Sequence, residues 1–81
     1  MGNRLLTVPA LENGQSGTVI KIELDGKIRR RLIEMGLTPG TRVTLTKRAP
    51  LGDPIEIRLR GYELTLRGND AAKILVVPEK A

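Results

Sequence analysis

Alternating apolar and polar residues run through most of this chain and predict short β-strands. The clearest case is residues 55–60, where isoleucine or leucine alternates with glutamate or arginine. Because successive side chains of a strand point to opposite faces, such a segment can bury one face and expose the other. Similar alternation covers residues 18–24, 43–46 and 62–67. In the first of these we expect one face to carry Ile20, Ile22 and Leu24.

Residues 74–77 are apolar on both faces of the predicted strand. A strand of this kind is typical of a central or covered position in a sheet, not of a free edge. At an edge it could instead pair between two chains. Gly61 separates two alternating segments and predicts a tight reversal between them.

One segment after the first long strand has the spacing of an α-helix. Positions i, i+4 and i+7 place three apolar side chains on one helical face: Ile28, Leu32 and Met35. Asp25 is in position to cap the first turn by accepting a bond from free backbone N–H groups. Gly36 follows the last turn, where a left-handed conformation favours glycine, and Leu37 is expected to pack back against Leu32.

Proline and glycine mark the connections between these elements. Pro39-Gly40 supplies the fixed φ and the positive φ that the two central positions of a type II turn need. Residues 49–54, Ala-Pro-Leu-Gly-Asp-Pro, predict a rigid connection, and Asn69 can cap one further turn through Ala72. We assign turn-setting roles to six residues: Gly36, Pro39, Gly40, Gly52, Pro54 and Gly61.

Five short strands with one short helix favour a small, mostly β fold. A parallel α/β sheet would need several helices, and the sequence predicts one. We therefore expect an SH3-like β-barrel of about five strands with the helix inserted after the first long strand. Eighty-one residues are enough for a single domain over residues 1–81 and leave no room for a second core.

Composition adds a basic surface and removes most reactive side chains. Fourteen Lys and Arg against nine Asp and Glu give a net charge of +5, and the pI is near 10.3. This charge suits an acidic partner, a nucleic acid or an anionic membrane surface, but it also lies within the range of about 2–8 that keeps a small domain soluble. No apolar run is long enough for a signal peptide or a membrane span, so we expect a cytoplasmic protein.

The chain has no His and no Cys, which argues against catalysis and against a transition-metal site. The commonest general base, the best nucleophile and the preferred ligands of those metals are all absent. Glu56 and Glu63 could face each other across a hairpin, but ion pairs with Arg58, Arg60 and Arg67 explain them better. We expect no enzymatic activity and no cofactor.

The arginines of the predicted helix, residues 29–31, allow two interpretations. Arg29 and Arg30 can point outward together with Ile33 beside them, which gives an apolar anchor with a charged rim suited to protein docking. Arg31 lies beside Leu32 and could lay its stem along the core edge. The other interpretation is a solvated face that keeps the domain soluble.

Two motifs in a fixed order resemble the FeoA family: Met-Gly-Leu-Thr-Pro-Gly at 35–40 and Ala-Pro-Leu-Gly-Asp-Pro at 49–54. Residues 60–67 extend the similarity, which runs from about residue 14 to residue 77. The resemblance implies an SH3-like barrel and a cytoplasmic accessory protein of bacterial ferrous iron uptake. It further implies docking on the cytoplasmic GTPase part of FeoB, the membrane permease.

Within that interpretation the docking candidates are three residues of the helix and three of the 48–53 loop: Arg29, Arg30, Ile33, Arg48, Leu51 and Asp53. We expect no nucleic acid as partner and contact with the membrane only through the permease. The alternative is an RNA-binding SH3-like domain. It is favoured by the positive charge and by residues 14–20, which look like the glycine-rich opening of ribosomal and transcription-factor modules. One tyrosine cannot supply the stacking platform that single-strand binders use.

Overall fold

The computed structural model describes residues 4–79, which form six β-strands and two α-helices. In chain order the elements are β1 (Leu6–Thr7), a 3₁₀ turn (Val8–Ala10), β2 (Ser16–Ile22), α1 (Gly26–Glu34), β3 (Arg42–Arg48), β4 (Ile55–Leu59), β5 (Tyr62–Leu66), α2 (Gly68–Ala71) and β6 (Ile74–Pro78). The predicted class is confirmed: the protein is mostly β, with its longer helix inserted after the first long strand.

All six strands join one antiparallel sheet in the order β1-β6-β2-β3-β4-β5. The predicted count of about five is one too low, because β1 has only two residues and carries no alternation. Over residues 4–79 the sheet is not closed, and β1 and β5 are its two ends. Strand β6 lies between β1 and β2, which confirms the central position predicted from its two apolar faces.

Strand β2 departs from the simple alternation that its sequence suggests. Its pairing with β6 shifts register between Val19 and Lys21. One extra residue at a β-bulge moves the following side chains to the other face. Val19 and Ile22 are therefore buried, whereas Ile20 is 46% exposed. The expectation that Ile20 and Ile22 share one face is wrong for this reason.

A single aliphatic core lies against one face of the sheet. Leucine, isoleucine and valine side chains from β2, β3, β4 and β6 form most of it, and side chains from α1 and from the 3₁₀ turn pack against them. The most deeply buried of these residues are Val8, Leu11, Val19, Leu37, Val43, Leu45, Ile57, Ile74 and Val76. Burial of such side chains contributes roughly 1.5–3 kcal/mol each, so the core is the main source of stability for the fold.

The C-terminal end of α1 forms the predicted motif. Gly36 N–H donates to the Ile33 carbonyl at 2.9 Å, and Leu37 N–H donates to the Leu32 carbonyl at 2.9 Å. These are the two bonds of a Schellman end, and Gly36 has φ +94°. Leu37 and Leu32 are both buried. The first side chain after Gly36, that of Leu37, therefore packs directly into the core.

The other end of α1 differs in two details from the prediction. Asp25 occupies the capping position, but its side chain makes no capping hydrogen bond. Ile28 is 46% exposed although Leu32, one turn later, is buried. The apolar face of the helix therefore reaches the core only with its C-terminal half, and its N-terminal half stands free of the sheet.

Two of the turns predicted from proline and glycine have the expected backbone geometry. Thr41 N–H donates to the Thr38 carbonyl at 3.0 Å across Pro39-Gly40, and Gly40 has φ +95°. The β4–β5 hairpin closes through two residues, Arg60 and Gly61, both with positive φ, as a type I′ turn requires.

Helix α2 is capped differently from the prediction. Its flanking residue is Arg67, not Asn69. The first N–H group, that of Gly68, donates instead to the Asp53 carboxylate at 2.9 Å. A residue distant in sequence supplies the acceptor, so no local signal could have indicated it.

Candidate functional site

The outer face of α1 gathers the three helix residues predicted for docking. Arg29, Arg30 and Ile33 line one shallow depression of 340 Å³ together with Gly26 and Glu34. Both arginines are exposed and Ile33 is half-buried. Within residues 4–79 neither arginine side chain makes a hydrogen bond or an ion pair. The side chains therefore present two free guanidinium groups around an apolar patch.

The loop between β3 and β4 projects one large apolar side chain into solvent. Leu51 is 96% exposed, although the backbone around it is held tightly. Gly52 N–H donates to the Ala49 carbonyl at 2.7 Å, and Ala49 N–H donates to the Pro54 carbonyl at 2.9 Å. An exposed leucine on a well-defined loop has the form of a docking anchor.

The other two loop candidates also have contacts inside the protein. The half-buried Arg48 donates to the carbonyls of Pro9 and Leu11 at 2.7 and 2.5 Å. Asp53 accepts from Gly68, as described above. These contacts tie the 48–53 loop to the 3₁₀ turn and to α2. A docking role for Arg48 and Asp53 stays a prediction, and it would have to coexist with these contacts.

The carboxylates of the hairpin do not form a reactive pair. Strand register places Glu56 opposite Thr65, and Glu63 opposite Arg58. Glu63 accepts from Arg58 at 3.1 Å, whereas Glu56 lies 3.8 Å from Lys47. The possibility that the two glutamates face each other is therefore wrong, and ion pairs take their place. Among residues 4–79, no group of three or more acidic side chains lies close enough to hold a metal ion.

Another exposed ion pair fastens the end of β6 to β3. Arg42 donates to Glu79 through Nε at 2.6 Å and through a second nitrogen at 3.1 Å. These hydrogen bonds lower the pKa of the Glu79 carboxyl and raise the pKa of Arg42. Both groups are open to solvent, so the pair serves as a local clasp with no catalytic character.

The hairpin is also fastened to the end of α1. The Tyr62 hydroxyl donates to the Met35 carbonyl. Arg60 donates through Nε to the Gly36 carbonyl at 3.0 Å and through a terminal nitrogen to Thr41 Oγ1 at 3.2 Å. These bonds fix the helix relative to β5. In the part of the chain that the structure describes, neither helix is long and apolar enough to span a bilayer.

Over residues 4–79 the arrangement is that of a small β protein with an exposed basic face on α1 and no cluster of three or more potential metal ligands. Comparison with known families makes the assignment specific. The FeoA domain matches residues 6–78, and the chain belongs to that family, whose members are accessories of ferrous iron transport. The resemblance carried by the two sequence motifs is thereby confirmed.

Three known proteins illustrate the relationship. The chain is 39% identical over 66 residues to the Fe(2+) transport protein A/Fe(2+) transporter FeoB fusion protein of Porphyromonas gingivalis, and the match covers 82% of this chain but only 8% of that protein. The NMR structure of a FeoA-like protein from Clostridium acetobutylicum has 39% identity and a TM-score of 0.80, covering 94% of this chain and 87% of the other. The crystal structure of Stenotrophomonas maltophilia FeoA with zinc, an SH3 domain protein, has 26% identity and a TM-score of 0.77, covering 93% and 96%. The expected SH3-like fold is confirmed.

Proposed function

We propose that this chain is a non-catalytic, cytoplasmic accessory protein that docks on the cytoplasmic GTPase part of a FeoB-type ferrous iron permease. The observation that carries the proposal is the P. gingivalis relative, in which a matching segment and the transporter FeoB belong to one protein. Two units that are joined in one chain in one organism are commonly partners when they are separate in another. The match covers only 8% of that protein, so its transporter part enters this proposal as a partner and not as an activity of this chain.

The chemistry of the chain agrees with a role as a binding surface. It lacks His and Cys, the side chains that most often hold iron or act in catalysis. Its free charge is concentrated on α1, where Arg29 and Arg30 surround Ile33. An apolar centre with an arginine rim is the composition that protein interfaces favour.

The docking surface that we propose combines the outer face of α1 with the tip of the 48–53 loop. Leu51 supplies an apolar anchor that has no protein contact to lose on binding. The arginines supply orientation and a faster encounter with an acidic partner. The RNA-binding alternative is not favoured, because Tyr62 is the only aromatic residue of the chain and its hydroxyl is bonded to α1.

Titration of the full-length permease in lipid nanodiscs tests the proposal. The double variant R29E/R30E should keep its circular dichroism spectrum and weaken binding at least about 10-fold, which corresponds to ~1.4 kcal/mol. The charge-matched control is K21E/K73E, which reverses the charge of two exposed lysines on β2 and beside β6. Because Lys21 pairs with Glu23 at 3.5 Å, the circular dichroism spectrum of this variant is also compared with that of the wild type. The control should change the affinity by less than about 2-fold, since charges far from an interface are screened at physiological salt.

Three outcomes would contradict the proposal. The wild-type chain could fail to bind the permease. Both double variants could bind as tightly as wild type, or both could lose affinity equally, which would indicate net charge as the cause. Replacement of Leu51 by serine gives an independent check, because it removes an exposed anchor with little effect on folding.

A further inference from the structure

Strand β5 is an end of the sheet, and its outer edge carries unpaired backbone groups. Its register with β4 starts from the pair Leu59–Tyr62 that closes the two-residue turn. Hydrogen-bonded and non-bonded pairs alternate along an antiparallel ladder from there. The backbone groups of Tyr62, Leu64 and Leu66 therefore face β4, whereas those of Glu63 and Thr65 face outward. Exposed strand edges are templates for a further strand.

A groove of 370 Å³ runs along this edge, between β5 and α1. Four consecutive residues, 64–67, line it. Because successive side chains of a strand point to opposite faces, one face alone cannot supply four consecutive lining residues. The main-chain edge itself must therefore form part of the wall. The volume lies at the lower end of the range of about 300–1,000 Å³ that is typical of ligand sites.

The opposite wall of the groove is apolar and belongs to the helix. Ile28, Leu32 and Met35 line it, and this is the half-exposed face that α1 does not bury fully against the core. The hydrogen bonds from Tyr62 and Arg60 to the end of α1 hold the two walls in place. The groove is thus a fixed feature with hydrogen-bonding groups on one side and apolar side chains on the other.

The charge at the groove is positive. Arg31 of α1 and Arg67 at the end of β5 both line it, and neither guanidinium group has a hydrogen bond or an ion pair within residues 4–79. Asp70 is the one carboxylate among the lining residues. Two free guanidinium groups at the rim of a groove with one apolar wall attract carboxylates in a complementary arrangement.

We infer that this groove binds an extended acidic segment of a partner protein, which adds to β5 as a further strand. Backbone groups of Glu63 and Thr65 would pair with the segment. Its alternate apolar side chains would contact α1, and its carboxylates would reach Arg31 and Arg67. This binding mode is separate from the permease proposal, which uses the outer face of the helix and the loop tip.

Other occupants fit the groove less well. A second copy of this chain has the same net charge of +5 and would bring further positive charge to Arg31 and Arg67. A single-stranded nucleic acid would need aromatic stacking surfaces, and no lining residue is aromatic.

A defined peptide tests the inference on the intact chain. The probe is an acetylated and amidated hexapeptide of alternating glutamate and valine, titrated into ¹⁵N-labelled protein. We expect saturable shifts at the amides of residues 63–67 and at residues 28–35. The same peptide with lysine in place of glutamate should bind at least about 10-fold more weakly, because the rim charge then repels it.

Two changes separate strand addition from simple charge attraction. A glutamate–valine peptide that is N-methylated at alternate residues cannot donate to the edge and should lose binding at least about 10-fold. Thr65→Pro removes an outward N–H group without removing a bond to β4, which an edge strand tolerates. Thr65→Pro should weaken binding of the unmodified peptide by a similar factor. The NOE cross-peaks between β4 and β5 should persist, which would show that the hairpin is intact.

The charge requirement is tested with R31E/R67E against the control K21E/K73E. The first should reduce peptide affinity at least about 10-fold, and the second should change it by less than about 2-fold. Absence of saturable binding at millimolar peptide overturns the inference. So do shifts confined to Arg29 and Arg30, equal binding of the N-methylated peptide, or concentration-dependent dimerisation through β5. Because R29E/R30E reports on the permease and R31E/R67E on the peptide, either proposal can fail alone.

Discussion

Gly36→Ala is the substitution whose cost the structure specifies most fully. Gly36 has φ +94°, and an added Cβ would lie 2.8 Å from Arg60 Cδ and 2.9 Å from Arg60 Nε. The left-handed conformation costs an alanine roughly 1–2 kcal/mol. The arginine must also move, which breaks its bonds to the Gly36 carbonyl and to Thr41. Each of these bonds contributes about 0.5–1.5 kcal/mol, so the total loss should be about 2–5 kcal/mol.

Gly52→Ala is the matched control for this prediction. Gly52 also has a positive φ, +88°, but an added Cβ there would meet nothing within 4 Å. Its cost should be the conformational part alone, roughly 1–2 kcal/mol. Urea denaturation of both variants gives the difference in the free energy of unfolding, which we expect to be about 1–3 kcal/mol.

A double-mutant cycle with Arg60→Ala identifies the source of that difference. If the arginine is the obstacle, Gly36→Ala should cost less in the Arg60→Ala background by about 1 kcal/mol. Equal losses for Gly36→Ala and Gly52→Ala, with additive behaviour in the cycle, would show that Arg60 does not pack over the end of α1. No loss at all for Gly36→Ala would refute the Schellman end itself.

Three further predictions concern other parts of the fold. Leu32→Ala should lower the free energy of unfolding by roughly 2–5 kcal/mol, whereas Ile28→Ala, at an exposed position, should lower it much less. An unchanged melting curve for Leu32→Ala would show that Leu32 does not point into the core. Arg48→Met should cost about 1–3 kcal/mol in thermal unfolding, because it leaves two carbonyls of the 3₁₀ turn without their donor. The lowered pKa of Glu79 contributes stability that is present above the ordinary carboxyl pKa and is lost as pH falls through the lowered value. NMR titration should therefore place the midpoint of Glu79 below that of a free glutamate, and Arg42→Ala should return it to the ordinary value.

Features set by neighbouring residues could be predicted from the sequence. The β4–β5 hairpin and the Pro39-Gly40 turn depend on alternation and on local backbone preference, and both are present. The Schellman end at Gly36 is equally local. For the same reason Arg29, Arg30 and Ile33 could be placed together on one helical face.

Features set by contacts between distant segments could not be predicted in this way. The bulge that exposes Ile20 arises where β2 pairs with β6, and β6 lies at the other end of the chain. Arg48 and Asp53 bond residues far away in sequence, which no local pattern indicates. The groove beside β5 exists only because the sheet stays open there and α1 stands next to it. Arg31 and Arg67 could be grouped only once this packing was known.

Site-specific photo-cross-linking tests the proposed docking surface most directly, and the absence of cysteine makes it simple. Two single-cysteine variants would each carry a benzophenone maleimide. Ile33→Cys places the label on the outer face of α1, and Asn13→Cys places it before β2, at the end of that strand away from α1. Each labelled protein is irradiated with the full-length permease in nanodiscs. We predict cross-links to the cytoplasmic GTPase part from position 33 and none from position 13. Equal cross-linking from both positions, or none from position 33 while the complex is intact, would contradict docking through this face.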